Sequence, residues 1–153
     1  MPEYLEKTVD KFTFRVATDR LYSSEGMWVS LVQPGAPGRV RIGLTDFMQQ
    51  RSGDVAFVSV KVPGTRLSAG DDFTEMETIK VNLSLPAPVG GTVVEVNEAL
   101  ELTPEVVNRD PYGNGWLAVV ETASWEADRA RLLDPGAYFS LMQSQVEQEL
   151  EKP

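Results

Sequence analysis

The chain has 153 residues, a formal net charge of −9, and neither cysteine nor histidine. Thiol nucleophiles, disulfides, Ser-His-Asp triads and zinc sites built from Cys and His are therefore excluded. What remains is carboxylate, lysine or hydroxyl chemistry, a borrowed cofactor, or no chemistry by the chain itself. The length suits one domain, since domains most often run about 100–150 residues, and 42% apolar residues suffice for one core. Fourteen basic residues against 23 acidic ones argue against nucleic acid or an anionic membrane as partner. The same imbalance favours docking to basic patches on other proteins. No apolar run reaches the roughly 18 residues of a membrane-spanning helix. The stretch from Met1 to Lys7 lacks the basic and apolar regions of a secretory signal, so a cytoplasmic setting is expected.

The first 25 positions are mixed in pattern. Phe12, Phe14 and Val16 then alternate with polar residues, which predicts a strand. Met27 to Val32 predicts another, closed by the turn-rich Gln33-Pro34-Gly35-Ala36-Pro37-Gly38. Val40 and Ile42 continue the alternation. Thr45 is placed to cap a short helix over Asp46 to Arg51, ended at Gly53. Val55 to Val62 is β-branched, with apolar residues on both parities, so either both faces are buried or a bulge flips the parity.

Phe73 to Ile79 and Val81 to Leu85 predict two further strands meeting at Lys80, and Thr92 to Asn97 another. Gly90 and Gly91 are expected as turn glycines with positive φ. Thr103-Pro104-Glu105 has the signature of a short helix start. Tyr112-Gly113-Asn114-Gly115 reads as a turn and Trp116 to Glu121 as a last strand. Ser124 would cap a helix through about Leu133. Asp134-Pro135 would start another, with Tyr138, Leu141, Met142 and Val146 at helical spacing. The polar end, Gln143 to Lys152, is expected to fray. Many short strands followed by helix predict a mainly β sandwich or small barrel with C-terminal helices.

The chemically informative segment runs from Glu75 to Gly91. A lysine at a hairpin tip is accessible from most directions, as a modifying enzyme requires, although an isolated turn lysine is ordinarily just a solvated surface residue. Its usual pKa is about 10.4, so the modifying ligase must remove the proton. Glu75 and Glu77 read as a solvated strand face. Trp28 and Trp116 read as core or core-edge aromatics, and Asp46, Asp54 and Asp110 as capping residues beside turns.

Glu77-Thr78-Ile79-Lys80 resembles the Glu-Ser-Val-Lys modification site of the glycine cleavage system H-protein family. Ile42-Gly43-Leu44-Thr45-Asp46-Phe47 resembles that family's Val-Gly-Ile-Thr-Asp-Tyr, and Gly53-Asp54-Val55-Ala56-Phe57-Val58 its Gly-Asp-Ile-Val-Phe-Val. Pro88 to Leu100 resembles Pro-Val-Ser-Gly-Glu-Val-Val-Glu-Val-Asn-Glu-Ala-Leu, and Asp110 to Leu117 resembles Asp-Pro-Tyr-Gly-Glu-Gly-Trp-Leu. These strings occur in the family's order.

The resemblance implies one lipoyl-carrier domain over 1–153. Its core would span about 28–141, with an N-terminal extension at 1–27 and a polar tail at 142–153. The implied fold is a flattened barrel-like sandwich of two antiparallel sheets, of the lipoyl/biotinyl-carrier type, with C-terminal helices. It further implies lipoate in amide linkage on Lys80, with Glu77, Thr78, Ile79 and Val81 as the recognition surface. The arm would reach roughly 14 Å, from zigzagged bonds near 1.5 Å. Catalysis would belong to the partners. Those partners would be a lipoate ligase or lipoyl transferase, dihydrolipoyl dehydrogenase, glycine decarboxylase and aminomethyltransferase. Biotin carriers put Met on both sides of the lysine and 2-oxoacid dehydrogenase domains put Asp before it, whereas Ile79 and Val81 flank Lys80.

Two departures stand out. Gly26-Met27 replaces the family's His-Glu before Trp28-Val29, and Ser84 stands where the family has aspartate four residues after the lysine. Those carboxylates would pair with the ammonium of an aminomethyl group, and a buried ammonium without partners is costly. Glu25, Glu75 and Glu77 are candidates to substitute. Three functions stay open on sequence. The first is aminomethyl carriage in glycine cleavage. The second is carriage of sulfur intermediates for enzymes of a heterodisulfide-reductase-like oxidation pathway. The third is an interaction module of the same fold whose Lys80 is never modified.

Overall fold

The computed structural model describes residues 3–151. Its first two strands, β1 (Tyr4–Val9) and β2 (Phe12–Ala17), form an antiparallel hairpin of their own, with Val9 opposite Phe12. β1 was not expected, and two further short strands, β3 (Leu21–Tyr22) and β7 (Arg66–Leu67), were also missed. β4 (Met27–Gln33) and β5 (Arg39–Leu44) follow the predicted alternation. Helix α1 (Asp46–Ser52) is capped as expected. Thr45 Oγ1 accepts from Met48 N, and Gly53 closes the helix at φ 90°, a conformation L side chains rarely adopt.

β6 (Val55–Val60) settles the parity question in favour of a bulge. The register against β8 (Asp72–Thr78) shifts between Val55 and Phe57, so Val55 and Val58 are buried while Phe57 is exposed. Val62 lies beyond the strand and is exposed, so the predicted run to Val62 was too long. β9 (Asn82–Pro86) and β10 (Gly91–Val96) come next. Gly91 takes φ 151°, and a Cβ there would meet Glu121 O at 2.1 Å. Gly90 corrects the expectation: it is not among the positive-φ glycines, and its N–H donates to the buried Asp128 carboxylate at 2.9 Å.

The unpredicted helix α2 (Ala99–Leu102) consumes Thr103 as its C-terminal cap. The following helix, α3 (Val106–Arg109), therefore starts later than the Thr-Pro-Glu pattern indicated, with Glu105 before it and no side-chain cap. β11 (Ala118–Thr122) starts two positions later than expected because Trp116 N and Leu117 N bond to Gly113 O and Ile42 O. α4 (Trp125–Arg129) is a short helix, and Ser124 precedes it without a side-chain cap. α5 (Pro135–Glu151) starts where Asp134 Oδ1 accepts from Ala137 N at 2.7 Å. It continues through the segment expected to fray. Tyr138, Met142 and Val146 are buried at i, i+4 and i+8, so tertiary packing outweighs the polar composition of the outer face. Lys152 lies outside the described residues.

The strands pair in the order β3-β4-β5-β11-β10-β7 in one sheet and β6-β8-β9 in another, all pairs antiparallel. Val29, Val40, Ile42 and Val120 of the first pack with Val58, Met76 and Leu85 of the second in one buried cluster. The expected two-sheet sandwich is present, and the β1–β2 hairpin adds a third sheet to it. A second cluster joins Phe14 and Val16 of that hairpin to Tyr22, Trp28, Phe47, Tyr138, Met142 and Val146. Tyr22 and Tyr138 stack there at 4.6 Å, with Tyr22 Oη donating to Ala17 O and Tyr138 Oη bonded to Thr45 Oγ1.

Candidate functional site

The β8–β9 hairpin presents its turn, Thr78 to Val81, away from the sandwich. Alternation in β8 buries Phe73, Thr74 and Met76 and leaves Glu75 and Glu77 exposed. Glu77 is opposite Asn82, and Glu75 is opposite Ser84, so these four exposed residues share the outer face. At the tip, Thr78 N donates to Val81 O at 2.9 Å. The Thr78 hydroxyl accepts from Lys80 N and from Val81 N, both at 3.1 Å, and donates to Ser52 O at 2.7 Å. This is a hydroxyl-stapled turn whose staple also reaches the last residue of α1. Ile79 N donates to Asp54 O at 3.1 Å, a second tie to the same loop.

That loop is itself held from behind. Asn108 Nδ2 donates to Gly53 O at 3.0 Å and to Gln49 Oε1 at 3.1 Å, and Asn108 Oδ1 accepts from Val55 N at 2.9 Å. Asn108 thus clamps both sides of Asp54, the residue that fixes Ile79. Sequence pattern does not single out Asn108, because nothing local to it signals a partner more than 50 positions away.

All five residues named for the site come together on this tip. Lys80 is exposed, and among the described residues its ammonium takes part in no ion pair. Its stem passes over Gly53, with Cγ and Cδ 3.4 Å from where a Cβ would sit. Ile79 is 75% exposed and Val81 44%, so Lys80 is flanked on both sides by accessible aliphatic side chains. Glu77 is exposed and Thr78 half-buried. A group joined to Lys80 Nζ would therefore displace no ion pair among the described residues. The residues present fit an acyl modification.

The other carboxylates considered have structural tasks. Asp46 accepts from Arg15 N at 2.9 Å and from the side chains of Gln49 and Gln50, and Asp110 accepts from Asn114 N at 2.8 Å. Among the described residues no three His, Cys, Asp or Glu converge as a metal site would require. Of the family departures, Met27 is fully buried in the main core and Ser84 is exposed. Glu25 is engaged by Ser24 Oγ at 3.0 Å.

The model of the glycine cleavage H-protein family matches residues 20–145. The chain belongs to this family. It is 41% identical over 133 residues to the glycine cleavage system H protein of Carboxydothermus hydrogenoformans, covering 86% of this chain and 98% of that one. It is 43% identical over 126 residues to the H protein of Mycobacterium avium, covering 80% and 93% respectively. The crystal structure of a glycine cleavage system H protein from Mycobacterium marinum superposes with a TM-score of 0.70 at 34% identity, covering 79% of this chain and 94% of that one. As a member of the H-protein family the chain is a lipoyl carrier. The relatives named are all proteins of glycine cleavage, so the sulfur-carrying alternative is not favoured.

Proposed function

We propose that Lys80 is the lipoylated residue and that the lipoylated chain carries the aminomethyl intermediate of glycine cleavage between partner enzymes without catalysing a step itself. The observation that carries this reading is the lysine on a stapled hairpin turn, exposed and in no ion pair among the described residues. When attached, the lipoyl dithiolane supplies the disulfide–dithiol chemistry that a cysteine-free chain lacks. The chain's own residues fix the point of attachment. Thr78 holds the Lys80 backbone, and Asp54 and Asn108 hold the loop beneath it.

Ile79 and Val81 offer the ligase an apolar surface beside the amine. Glu75 and Glu77 give the same tip a negative outer face. Glu75 stands directly across the ladder from Ser84, the position where the family has aspartate. It is the residue we assign to balance the aminomethyl ammonium. The partners in this reading are a lipoate ligase or lipoyl transferase, glycine decarboxylase, aminomethyltransferase and dihydrolipoyl dehydrogenase, met through complementary basic patches. The setting is the cytoplasm, where reducing pools keep dithiols in use. No helix among the described residues is long and apolar enough to cross a membrane.

Intact-mass spectrometry tests the assignment. Co-expression with a lipoate ligase should add one lipoyl group to the wild type and none to Lys80→Arg. Loading with glycine and glycine decarboxylase should then add an aminomethyl group to the lipoylated protein. An unmodified wild type would overturn the reading in favour of an interaction module.

A further inference from the structure

β6 is an edge strand of the small sheet. The bulge between Val55 and Phe57 turns the Phe57 ring out of the core and leaves it 54% exposed, while Val58 stays buried. Just past the strand, Val62 is 68% exposed before the turn at Pro63-Gly64. Beside β6 stands α2, which buries Leu100 in the core and leaves Glu101 and Leu102 outward, with Glu98 exposed just before it. Between the two elements lies a groove of about 500 Å³ whose walls include Phe57, Val62, Leu100 and Pro104, and whose exposed rim carries Glu98 and Glu101. No lysine or arginine lines it. Neither glutamate takes part in an ion pair among the described residues.

We propose that this groove docks a basic segment of a partner protein, which seats an apolar side chain between β6 and α2 and sets lysine or arginine against Glu98 and Glu101. Three observations select that occupant. Phe57 and Val62 are exposed apolar side chains sharing one groove with a polar rim, the make-up of a protein contact surface. The unpaired carboxylates give the partner its sign, since they attract a cationic segment and repel an anionic one. They also disfavour a second copy of this chain, whose net charge is −9. The third observation is position. Phe57 pairs with Glu77 across the β6–β8 ladder, close to Lys80 in the chain, so a protein that reads the Lys80 turn can continue along the same strand pair onto the groove. The contact needs no group on Lys80, so it stands or falls separately from lipoylation.

The apolar and charged parts divide the work. The seated side chain is the anchor and slows release, whereas the rim charges speed the encounter and reject acidic surfaces. Ordering the segment offsets much of the gain from burial, so the contact alone is weak. Weakness suits a protein that must leave each partner after every visit.

The test titrates the unmodified full-length chain, isotope-labelled for NMR, with a blocked peptide of alternating lysine and leucine. Saturable amide shifts should fall on β6, on residues 61–64 and on α2. Affinity should drop about two- to tenfold in Glu98→Gln/Glu101→Gln and at least about fivefold in Phe57→Ser. The control Glu126→Gln/Glu147→Gln removes the same charge outside the groove and should bind as the wild type does. All five substituted side chains are exposed, so the variants keep the fold. A twin peptide with glutamate in place of lysine should leave the groove amides unmoved. Absence of shifts at the groove, or shifts spread over the acidic surface with an equal loss in the control, would overturn the site. Equal binding of the glutamate peptide would overturn the assigned partner chemistry. A dimer of the free chain buried through Phe57 would overturn the proposal in favour of a second copy.

Discussion

Replacing Thr78 by Val probes how far the Lys80 turn is preorganised. The substitution keeps the branched shape and removes one hydroxyl. That oxygen accepts from Lys80 N and Val81 N at 3.1 Å each and donates to Ser52 O at 2.7 Å. The two N–H groups sit at an exposed turn and can turn to water, so their loss costs little. The bond to Ser52 O is partly buried and links the turn to α1, so its removal costs on the order of 1 kcal/mol, a typical net hydrogen-bond contribution. The larger effect is entropic. Without the staple, residues 79–81 sample several backbone states, and fixing even one residue costs roughly 1–2 kcal/mol. The ligase would have to impose that order. Since 1.4 kcal/mol is about tenfold, kcat/KM for lipoylation should fall about 5- to 30-fold, with urea unfolding showing a loss of about 1 kcal/mol. Thr78→Ser, which keeps the oxygen, should stay near wild type. Lipoylation of Thr78→Val within twofold of wild type, at the same loss of stability, would refute the claim that the hydroxyl preorganises the turn.

Ile79→Asp should impair lipoylation by about tenfold while leaving the melting temperature unchanged, because Ile79 is 75% exposed and contributes almost nothing to the folded state. Unchanged modification kinetics would show that the ligase does not read this side chain. The stacked tyrosines make stability sensitive to alkali. Burial, opposed by the hydrogen bond with Thr45, pushes the Tyr138 phenol up from 10.0 to about 12, and Tyr22 is raised as well, again chiefly by burial. The unfolded chain gives up these protons first, so stability is complete below pH 10 and falls as pH rises toward 12. The slope is on the order of 1.4 kcal/mol per pH unit for each phenol. Urea titrations at pH 8 and pH 11 should show this loss, and Tyr138→Phe should lose less between the two. Parallel losses in both proteins would exclude Tyr138 as a source.

The parts of the fold that were legible in the sequence are those whose signal is local. Thr45-Asp46 before an apolar-periodic stretch, and Gly53 after it, marked α1 because capping is decided within a few residues. Lys80 was legible because two alternating runs meet there, and alternation needs no knowledge of the partner strand. β1 was not, since its burial alternates only between exposed and half-buried, and what holds it is pairing with β2. α2 carried no readable signal, its helical run being four residues long. The end of α5 was misjudged although Tyr138, Met142 and Val146 continue one stripe. Its outer face is polar, so composition alone suggests fraying where the buried stripe holds the helix. Asn108 had no readable signal at all, because its worth depends on a loop brought to it by the fold.

A carrier of this kind must be stiff at one atom and loose beyond it. Every N–H from Thr78 to Val81 is bonded: Thr78 N to Val81 O, Ile79 N to Asp54 O, and Lys80 N and Val81 N to the Thr78 hydroxyl. The Cα of Lys80 is therefore fixed to the sandwich, and the conformational search is confined to the side chain and whatever it bears. A fixed pivot with an arm of roughly 14 Å defines a hemisphere that a partner can fill with its active site. A turn that itself wandered would dilute the arm over a larger volume and lower its effective concentration in a partner's active site. The bonds from Thr78 Oγ1 to Ser52 O and from Ile79 N to Asp54 O hold the pivot in place, so the arm's search stays within its own length.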